Sequence, residues 1–193
     1  MGTLELAPAL SRRDLLATPV ATAIEAWTRD GRFSFDDVQV APIDSDLADT
    51  AAFCATYDVG LEVSANCVIV AGRRGEATRY AACVVLATTR ADVNGLVRQR
   101  LDARKASFAP MDDAVEQTGM EYGGITPLGL PADWLLLIDS RVAALPQIVV
   151  GSGVRRSKIV LAGAALAAVP GAEVVQGLSA RGREAGFSRT NGG

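Results

Sequence analysis

The 193-residue chain contains no histidine. A Ser-His-Asp triad, a Cys-His pair, an HExxH zinc site and any histidine general base are therefore excluded. If the protein is a hydrolase, its general base must be a carboxylate or a group that the substrate brings with it.

Cysteine and lysine are also scarce. The three cysteines, Cys54, Cys67 and Cys83, stand in apolar surroundings and form no CxxC pair. We expect them to be free thiols that pack as small hydrophobic side chains. We expect neither a metal nor another cofactor. Arginine supplies nearly all of the positive charge, because the only lysines are Lys105 and Lys158.

Long apolar runs are missing as well. No run approaches the roughly 20 residues that span a bilayer, and the first residues lack the basic and apolar regions of a secretory signal. The length fits one well-buried domain. We therefore expect a cytoplasmic protein with no membrane partner. Because the net charge is −3, binding to nucleic acid would need a local basic patch.

The most distinctive feature that is present is the loop TGMEYGGITPLGLP at residues 118–131. Glycine lets the backbone approach a ligand closely, and proline fixes φ. Such a loop presents backbone N–H and C=O groups in a set geometry, which suits a pocket for a small polar group. A glycine-rich turn that only joins two elements is the alternative.

Part of this loop, GGITPLG at residues 123–129, resembles the GGxxPxG signature of the YbaK/prolyl-tRNA editing family of aminoacyl-tRNA deacylase domains. Other pieces follow in the family's order, and the resemblance covers roughly residues 45–175. These pieces are Asp49–Ala52, Ala65–Val70, Lys105–Ala109, Ile138–Ser140 and Val149–Gly153.

The resemblance implies an α+β fold, with a curved mixed sheet or partial barrel and helices packed around it. We expect one domain over residues 1–193. It would comprise an N-terminal helix and strand extension (1–44), an editing-like core (45–178) and a flexible tail (179–193). The N-terminal helix is expected to pack on the core or on a second subunit of a homodimer.

Hydrophobic periodicity and turn residues predict the local elements. Adjacent antiparallel strands are expected at 63–71 and 77–87, and Thr88 or Thr89 is expected to cap a helix that contains residues 93–101. The other helices are expected at 18–31, 47–60, 111–119 and 163–169. The other strands are expected at 106–108, 134–138, 147–150, 158–161 and 172–175, and a short strand or a hairpin is expected at 33–40.

The activity that the resemblance implies is trans-editing. The protein would hydrolyse the ester that joins a small mischarged amino acid to the acceptor end of tRNA. A hydroxyl of the terminal adenosine and a bound water would replace a protein base. The alternative is a non-catalytic member of the same fold, which binds aminoacyl-adenosine or tRNA ends without hydrolysis.

The resemblance places most candidate site residues on two glycine-rich segments. The N–H groups of Gly123 and Gly124 are candidates to stabilise charge on the ester carbonyl oxygen. Asp139 is a candidate for substrate binding, and the alternative for this residue is a helix N-cap. The basic cluster Arg155, Arg156 and Lys158 is a candidate for phosphate contact. Further candidates for substrate binding are Ile125, Thr126, Pro127, Asp139, Gly151, Ser152, Gly153 and Lys105.

The chain departs from the family at a lysine that active members usually carry just before the apolar strand. Asn66 stands at that position, or Ala65 does if the alignment shifts by one residue. Asn66 remains a catalytic candidate because its amide can anchor a water or the substrate amine. Lys105 is the lysine that chain order brings nearest to the glycine loop, although a surface lysine is the favoured interpretation.

Overall fold

A computed structural model describes residues 1–181 of the chain. Within this range the strands are β1 (Ala7–Pro8), β2 (Val38–Pro42), β3 (Ala65–Arg74), β4 (Ala77–Leu86), β5 (Thr89–Ala91), β6 (Lys105–Phe108), β7 (Leu135–Asp139), β8 (Ile148–Gly151), β9 (Ser157–Leu161), β10 (Ala172–Val175) and β11 (Ser179–Arg181). The α-helices are α1 (Thr18–Arg29), α2 (Thr50–Tyr57), α3 (Arg98–Arg100), α4 (Met111–Thr118), α5 (Ser140–Ala143) and α6 (Gly163–Ala167).

The strands form two main sheets. One is mixed and has the order β10-β7-β4-β3-β6, in which β3 is antiparallel to β4 and β6, and β7 is parallel to β4 and β10. The other is antiparallel and has the order β1-β2-β9-β8. A bridge between Ser64 and Val149 joins them. The α+β fold with surrounding helices is confirmed, and the described strands close no barrel.

Local signals account for several of the element ends. Pro19 lies in the first turn of α1, where its missing N–H costs nothing. Gly119 ends α4 in the left-handed conformation at φ 64°. The predicted hairpin of β3 and β4 forms with Ala65 opposite Leu86 and Arg74 opposite Ala77.

The predicted cap of the helix after β4 is wrong. Thr89 belongs to β5, and Asp92 caps the next helical segment by accepting the N–H groups of Gly95 and Leu96. That segment is a π-helical turn, Val93–Val97, which leads into α3. Thr89 is drawn into a strand because β5 pairs with β11, a contact from the far end of the chain.

Both ends of the described chain are paired. Strands β1 and β2 extend the sheet that contains β9, and α1 packs on the core through Val20 and Ile24. The first residues of the expected tail, Ser179–Arg181, form β11. The rest of that tail lies outside the described residues. No helix of residues 1–181 is long and apolar enough to cross a membrane.

Strand β9 lies between two apolar clusters, and its side chains pack alternately in one and the other. Ile159 and Leu161 belong to the main core with α1, whereas Val160 packs with Phe53 of α2. Successive side chains of a strand point to opposite faces. Lys158, two residues from Val160, therefore shares the face that α2 covers.

Candidate active site

A cavity of about 700 Å³ lies among α2, the start of β3, the glycine loop and the strands β8 and β9. Its volume is in the range of about 300–1,000 Å³ that is usual for small-molecule sites. The polar or charged side chains that line it belong to Asp49, Thr50, Ser64, Asn66, Tyr122, Arg155 and Lys158.

The glycine loop contributes alternate residues to this cavity. Gly123 and Ile125 line it. Gly124, Thr126 and Pro127 do not, and all three are buried. The loop therefore contacts the cavity with two of the five residues that were expected there.

The two glycine-rich segments pack against each other. The N–H of Gly153 donates to the carbonyl of Gly124 (2.8 Å), and the N–H of Glu121 donates to the carbonyl of Gly153 (2.8 Å). A Cβ on Gly151, which also lines the cavity, would stand 2.3 Å from the Gly124 oxygen. This close backbone approach is a structural reason for glycine at residue 151.

The expected pair of N–H donors needs a correction. The N–H of Gly124 donates to the carbonyl of Glu121 (2.9 Å), so it is not available to a ligand. The N–H groups of Gly123 and Ile125 have no acceptor among residues 1–181. Both residues line the cavity and can offer backbone donors to a ligand.

Arg155 crosses the mouth of the cavity. Its Nη2 donates to the carbonyl of Ser45 (3.0 Å) and its Nη1 to the carbonyl of Tyr122 (3.4 Å). Its backbone N–H donates to the carboxylate of Glu121 (2.6 Å). A Cβ on Gly123 would lie 2.7 Å from Nη1, so the guanidinium occupies space that only glycine leaves free.

Asn66, at the start of β3, lines the same cavity as Gly123 and Ile125. Its Oδ1 accepts a hydrogen bond from the Thr50 hydroxyl (2.8 Å). Thr50 is held by the start of α2, where the Asp49 carboxylate accepts the N–H of Ala51 (3.0 Å). The first residues of α2 and of β3 thus hold the Asn66 amide in a fixed position in the cavity.

Lys158 is buried in the cavity, whereas the sequence predicted it only as part of a basic cluster. Its side chain is 8% exposed and lines the cavity, where Nζ donates to the carbonyl of Ala48 (2.9 Å) and lies 5.2 Å from the centre of the Phe53 ring. It forms no ion pair with any residue of the described chain. Burial lowers the pKa of Lys158 from its ordinary value.

A sequence signal for Lys158 exists. Strand β9 reads SKIVL, and all five residues are buried. A strand that is buried on both faces is normally apolar throughout. A single lysine in such a strand is therefore unusual, since lysine is almost never fully buried without a partner.

The predicted basic cluster divides. Arg155 and Lys158 line the cavity, but Arg156 is exposed and its Nη2 donates to the carbonyl of Asp14 (2.7 Å). Arg155 and Arg156 lie in the turn before β9 and Lys158 lies in that strand, so the three side chains point in different directions. They do not form one continuous phosphate-binding surface.

Asp139 lies away from the cavity. Its side chain caps α5 by accepting the N–H of Arg141 (2.9 Å), and it accepts the hydroxyl of Ser179 (2.6 Å). Burial alone would raise the pKa of Asp139, but the hydrogen bonds from Arg141 and Ser179 hold it below its ordinary value. The N-cap interpretation is the one that the structure supports.

Three further candidates also fall outside the cavity lining. The Ser152 hydroxyl is buried and hydrogen bonds to Ser157 Oγ (2.7 Å), which fixes the turn before β9. Gly153 faces α1, since a Cβ there would lie 2.4 Å from that of Ala17. Lys105 is exposed on β6, at the edge of the five-stranded sheet.

No activated thiol is available in the cavity. Cys67 lines it, but burial and the neighbouring Cys83 raise the pKa of its thiol. Burial likewise raises the pKa of Cys83 to about 12. Both thiols are therefore neutral near pH 7, and neither supplies a thiolate nucleophile.

Comparison with known proteins identifies a family whose matched region contains the cavity. Residues 44–169, about two thirds of the chain, match the sequence profile of the aminoacyl-tRNA editing domain. The chain belongs to the aminoacyl-tRNA editing domain family. Every residue that lines the cavity, from Ala48 to Lys158, lies inside the matched range. No curated protein matches the chain by sequence.

Solved structures share the fold of this editing domain. A hypothetical protein named APE2540 aligns with a TM-score of 0.68 at 20% identity, over 82% of this chain and 99% of the other. A protein named "putative trans-editing enzyme for prolyl tRNA synthetase" aligns with a TM-score of 0.65 at 18% identity, over 82% of this chain and 96% of the other. At these identities the likeness concerns the fold.

Proposed function

We propose that this editing domain is an aminoacyl-tRNA deacylase that acts in trans and hydrolyses the ester of a small mischarged amino acid. The observation that carries the proposal is the cavity between α2, β3, the glycine loop and β9. It combines backbone N–H donors without acceptors, a fixed Asn66, and neither a histidine nor an activated thiol among its lining residues. Such a site suits a reaction whose attacking water is oriented by the substrate itself.

The reaction needs stabilisation of charge more than a strong base. Water adds to the ester carbonyl carbon, and the electron pair of the C=O bond moves onto the carbonyl oxygen. The bond to the ribose oxygen then breaks, and that oxygen takes up the proton that the water loses. Donors at Gly123 and Ile125 would stabilise the oxyanion without reorganisation.

Asp49 is the group that would hold the substrate's amine. Among residues 1–181 it is the only carboxylate that lines the cavity, and it is exposed at the N-cap of α2. One of its oxygens already accepts the N–H of Ala51. The other can pair with the α-ammonium of an aminoacyl ester, next to the Asn66–Thr50 pair.

The rim of the cavity suits the terminal nucleoside of the acceptor end. Phe108, Met111 and Tyr122 come from three different elements and are 66%, 51% and 60% exposed. Exposed aromatic faces are the usual stacking surfaces for unpaired bases. Arg155 adds positive charge at this rim. A tRNA substrate would place the protein in the cytoplasm and give it a role in translation fidelity.

One observation favours a second function. Asn66 stands where active relatives of this kind usually carry a lysine, and an amide gives only a dipole. A non-catalytic domain with the same cavity would bind aminoacyl-adenosine or a tRNA end without hydrolysis. The two functions share every binding contact, so only turnover separates them.

A deacylation assay tests the proposal. Purified protein is incubated with a panel of tRNAs, each charged with one amino acid, and release of the amino acid is compared with the uncatalysed rate. We expect accelerated release for small residues. Binding of a 3′-aminoacylamino-adenosine analogue without release from any member of the panel would favour the non-catalytic function instead.

A further inference from the structure

The cavity contains a buried positive charge that forms no ion pair with any residue of the range 1–181. Lys158 is 8% exposed, and the hydrogen bond to the carbonyl of Ala48 is the only one that its Nζ makes among residues 1–181. No carboxylate pairs with it there. An ammonium carries three donors, so two remain for other partners.

Such an arrangement is costly for the fold. Moving an ammonium out of water without a counter-charge is strongly unfavourable. The Phe53 ring at 5.2 Å and one carbonyl compensate for only part of that cost. An apolar side chain would suit a strand that is otherwise serine, isoleucine, valine and leucine. The charge therefore points to a partner that enters the cavity.

We propose that Lys158 supplies the ammonium that binds the carbonyl oxygen of the substrate ester in this cavity, from β9 instead of from the start of β3. This inference rests on the proposed deacylase function. Water attacks the carbonyl carbon, and the electron pair of the C=O bond moves to the oxygen that Nζ holds. When that pair returns to re-form the C=O bond, the ester bond to ribose breaks and the ribose oxygen takes up the proton that the water loses. Lys158 keeps its proton throughout and acts as a catalytic electrostatic group.

The position of the charge selects the carbonyl among the groups of the substrate. The phosphates of the acceptor end belong to the exposed part of the substrate, where Arg155 crosses the mouth. The α-ammonium is repelled by Lys158 and attracted by Asp49, which is exposed. Among the neutral acceptors of the substrate, the carbonyl oxygen is the one on which negative charge develops during hydrolysis, so it gains most from a buried ammonium.

Two substitutions at Lys158 and one at the other lysine give the test. Lys158→Met keeps the length of the side chain and removes its charge, Lys158→Arg keeps the charge, and Lys105→Met makes the same change on exposed β6. Removal of one preorganised donor commonly costs about 10²- to 10³-fold in kcat. We expect a loss of that size for Lys158→Met with little change in KM, a smaller loss for Lys158→Arg, and wild-type kinetics for Lys105→Met.

Thermal unfolding separates catalysis from structure. If Lys158 serves the substrate, Lys158→Met should be at least as stable as the wild type, because an unpaired buried charge is removed. A lower Tm that accounts for the lost activity would assign Lys158 a structural role. Full kcat in a folded Lys158→Met protein would overturn the inference while leaving the deacylase function intact. An inactive wild type would instead overturn that function, and this inference with it.

The tRNA panel identifies the group that Lys158 holds. Binding to the ester carbonyl predicts the same relative loss for every amino acid that the wild type releases. A loss confined to aspartyl- or glutamyl-tRNA would show that Lys158 reads a side-chain carboxylate, which would contradict the proposed role.

The pH profile gives an independent readout. The titratable or charged groups that face Nζ are Asp49, Cys54 and Arg155. Because burial lowers the pKa of Lys158, the wild-type rate, corrected for uncatalysed hydrolysis, should fall at alkaline pH before an ordinary lysine would titrate. Lys158→Arg should keep its residual rate over that range. An alkaline decline that is identical in Lys158→Arg would exclude Lys158 as its source.

Discussion

The two lysines of this protein lie in opposite environments. Lys158 is buried in the cavity between two sheets, without an anionic partner in the described chain, whereas Lys105 is exposed on the edge strand β6. An edge lysine has an ordinary function, because it discourages pairing of the open strand with another chain. A buried lysine has no such explanation. Our proposal therefore assigns function to the lysine whose charge its surroundings leave unexplained, and not to the lysine that chain order brings nearer to the glycine loop.

The largest expected effect is the loss of kcat when the ammonium is removed from the cavity. We expect that an ammonium from another residue of the cavity can replace it. Lys158→Met should lose about 10²- to 10³-fold in kcat, equal to about 2.7–4 kcal/mol. The second change Asn66→Lys should then recover at least part of that loss, because residue 66 lines the same cavity. Asn66→Lys alone should not accelerate the wild type, since two ammonium groups would repel each other.

Single-turnover deacylation is measured for the wild type, Lys158→Met, Asn66→Lys and the double variant, which together form a double-mutant cycle. Asn66→Met combined with Lys158→Met is the matched control, with similar bulk and no charge. Faster turnover by Asn66→Lys in the presence of Lys158 would mean that Lys158 does not already supply the ammonium.

The next effect concerns the loop that forms a wall of the cavity beside Lys158. A Cβ on Gly124 would stand 2.7 Å from the backbone of Val154, so the missing side chain makes room for protein and not for ligand. Overpacking of this kind typically costs about 1–3 kcal/mol. We expect Gly124→Ala and Gly124→Val both to lower stability in urea unfolding and to reduce activity.

The comparison of alanine with valine sharpens this prediction. If the Cβ itself causes the clash, alanine should already cause most of the loss of stability. Normal stability of both variants with weakened binding of an aminoacyl-adenosine analogue would instead mean that residue 124 faces the ligand.

Local features of the fold could be predicted from the sequence, because neighbouring residues determine them. The β3–β4 hairpin and the Gly119 end of α4 are examples. Errors arose where a distant contact decided the outcome. Thr89 can cap a helix or join a strand, and the pairing of β5 with β11 selects the strand.

The candidate site shows the same limit. The glycine loop lines the cavity through Gly123 and Ile125, whose N–H groups have no acceptor among residues 1–181, whereas Gly124 hydrogen bonds within the turn. Lys158 looked like part of a basic surface, since chain order does not show which face of β9 is covered by α2. Only the packing of Val160 with Phe53 reveals that face.

A smaller effect is expected on stability as a function of pH. Because the pKa of Lys158 is lowered in the folded protein, the unfolded chain binds more protons between that pKa and the unfolded value of 10.5. Wild-type stability should therefore rise with pH in this window relative to Lys158→Met, by at most about 1.4 kcal/mol per pH unit. Activity should fall over the same window, so the two properties move in opposite directions.

Urea unfolding of both proteins at a series of alkaline pH values measures this difference. Every other titratable group is the same in the two proteins, so the difference between their stability curves reports on Lys158. Parallel stability curves for wild type and Lys158→Met would show that Lys158 has the same pKa folded and unfolded.

The smallest effect is expected for the other lysine. Lys105 is exposed at the sheet edge and does not line the cavity, so Lys105→Met should change stability by no more than about 0.5 kcal/mol and leave deacylation unchanged. What it removes is a charge that protects the edge strand β6, and it adds apolar surface to a strand that already carries the exposed Phe108. We therefore expect its effect in self-association at high protein concentration, measured by light scattering, with Lys105→Arg as the control. A large loss of activity in monomeric Lys105→Met would make the two lysines functionally alike and would remove the basis for assigning the catalytic ammonium to Lys158 alone.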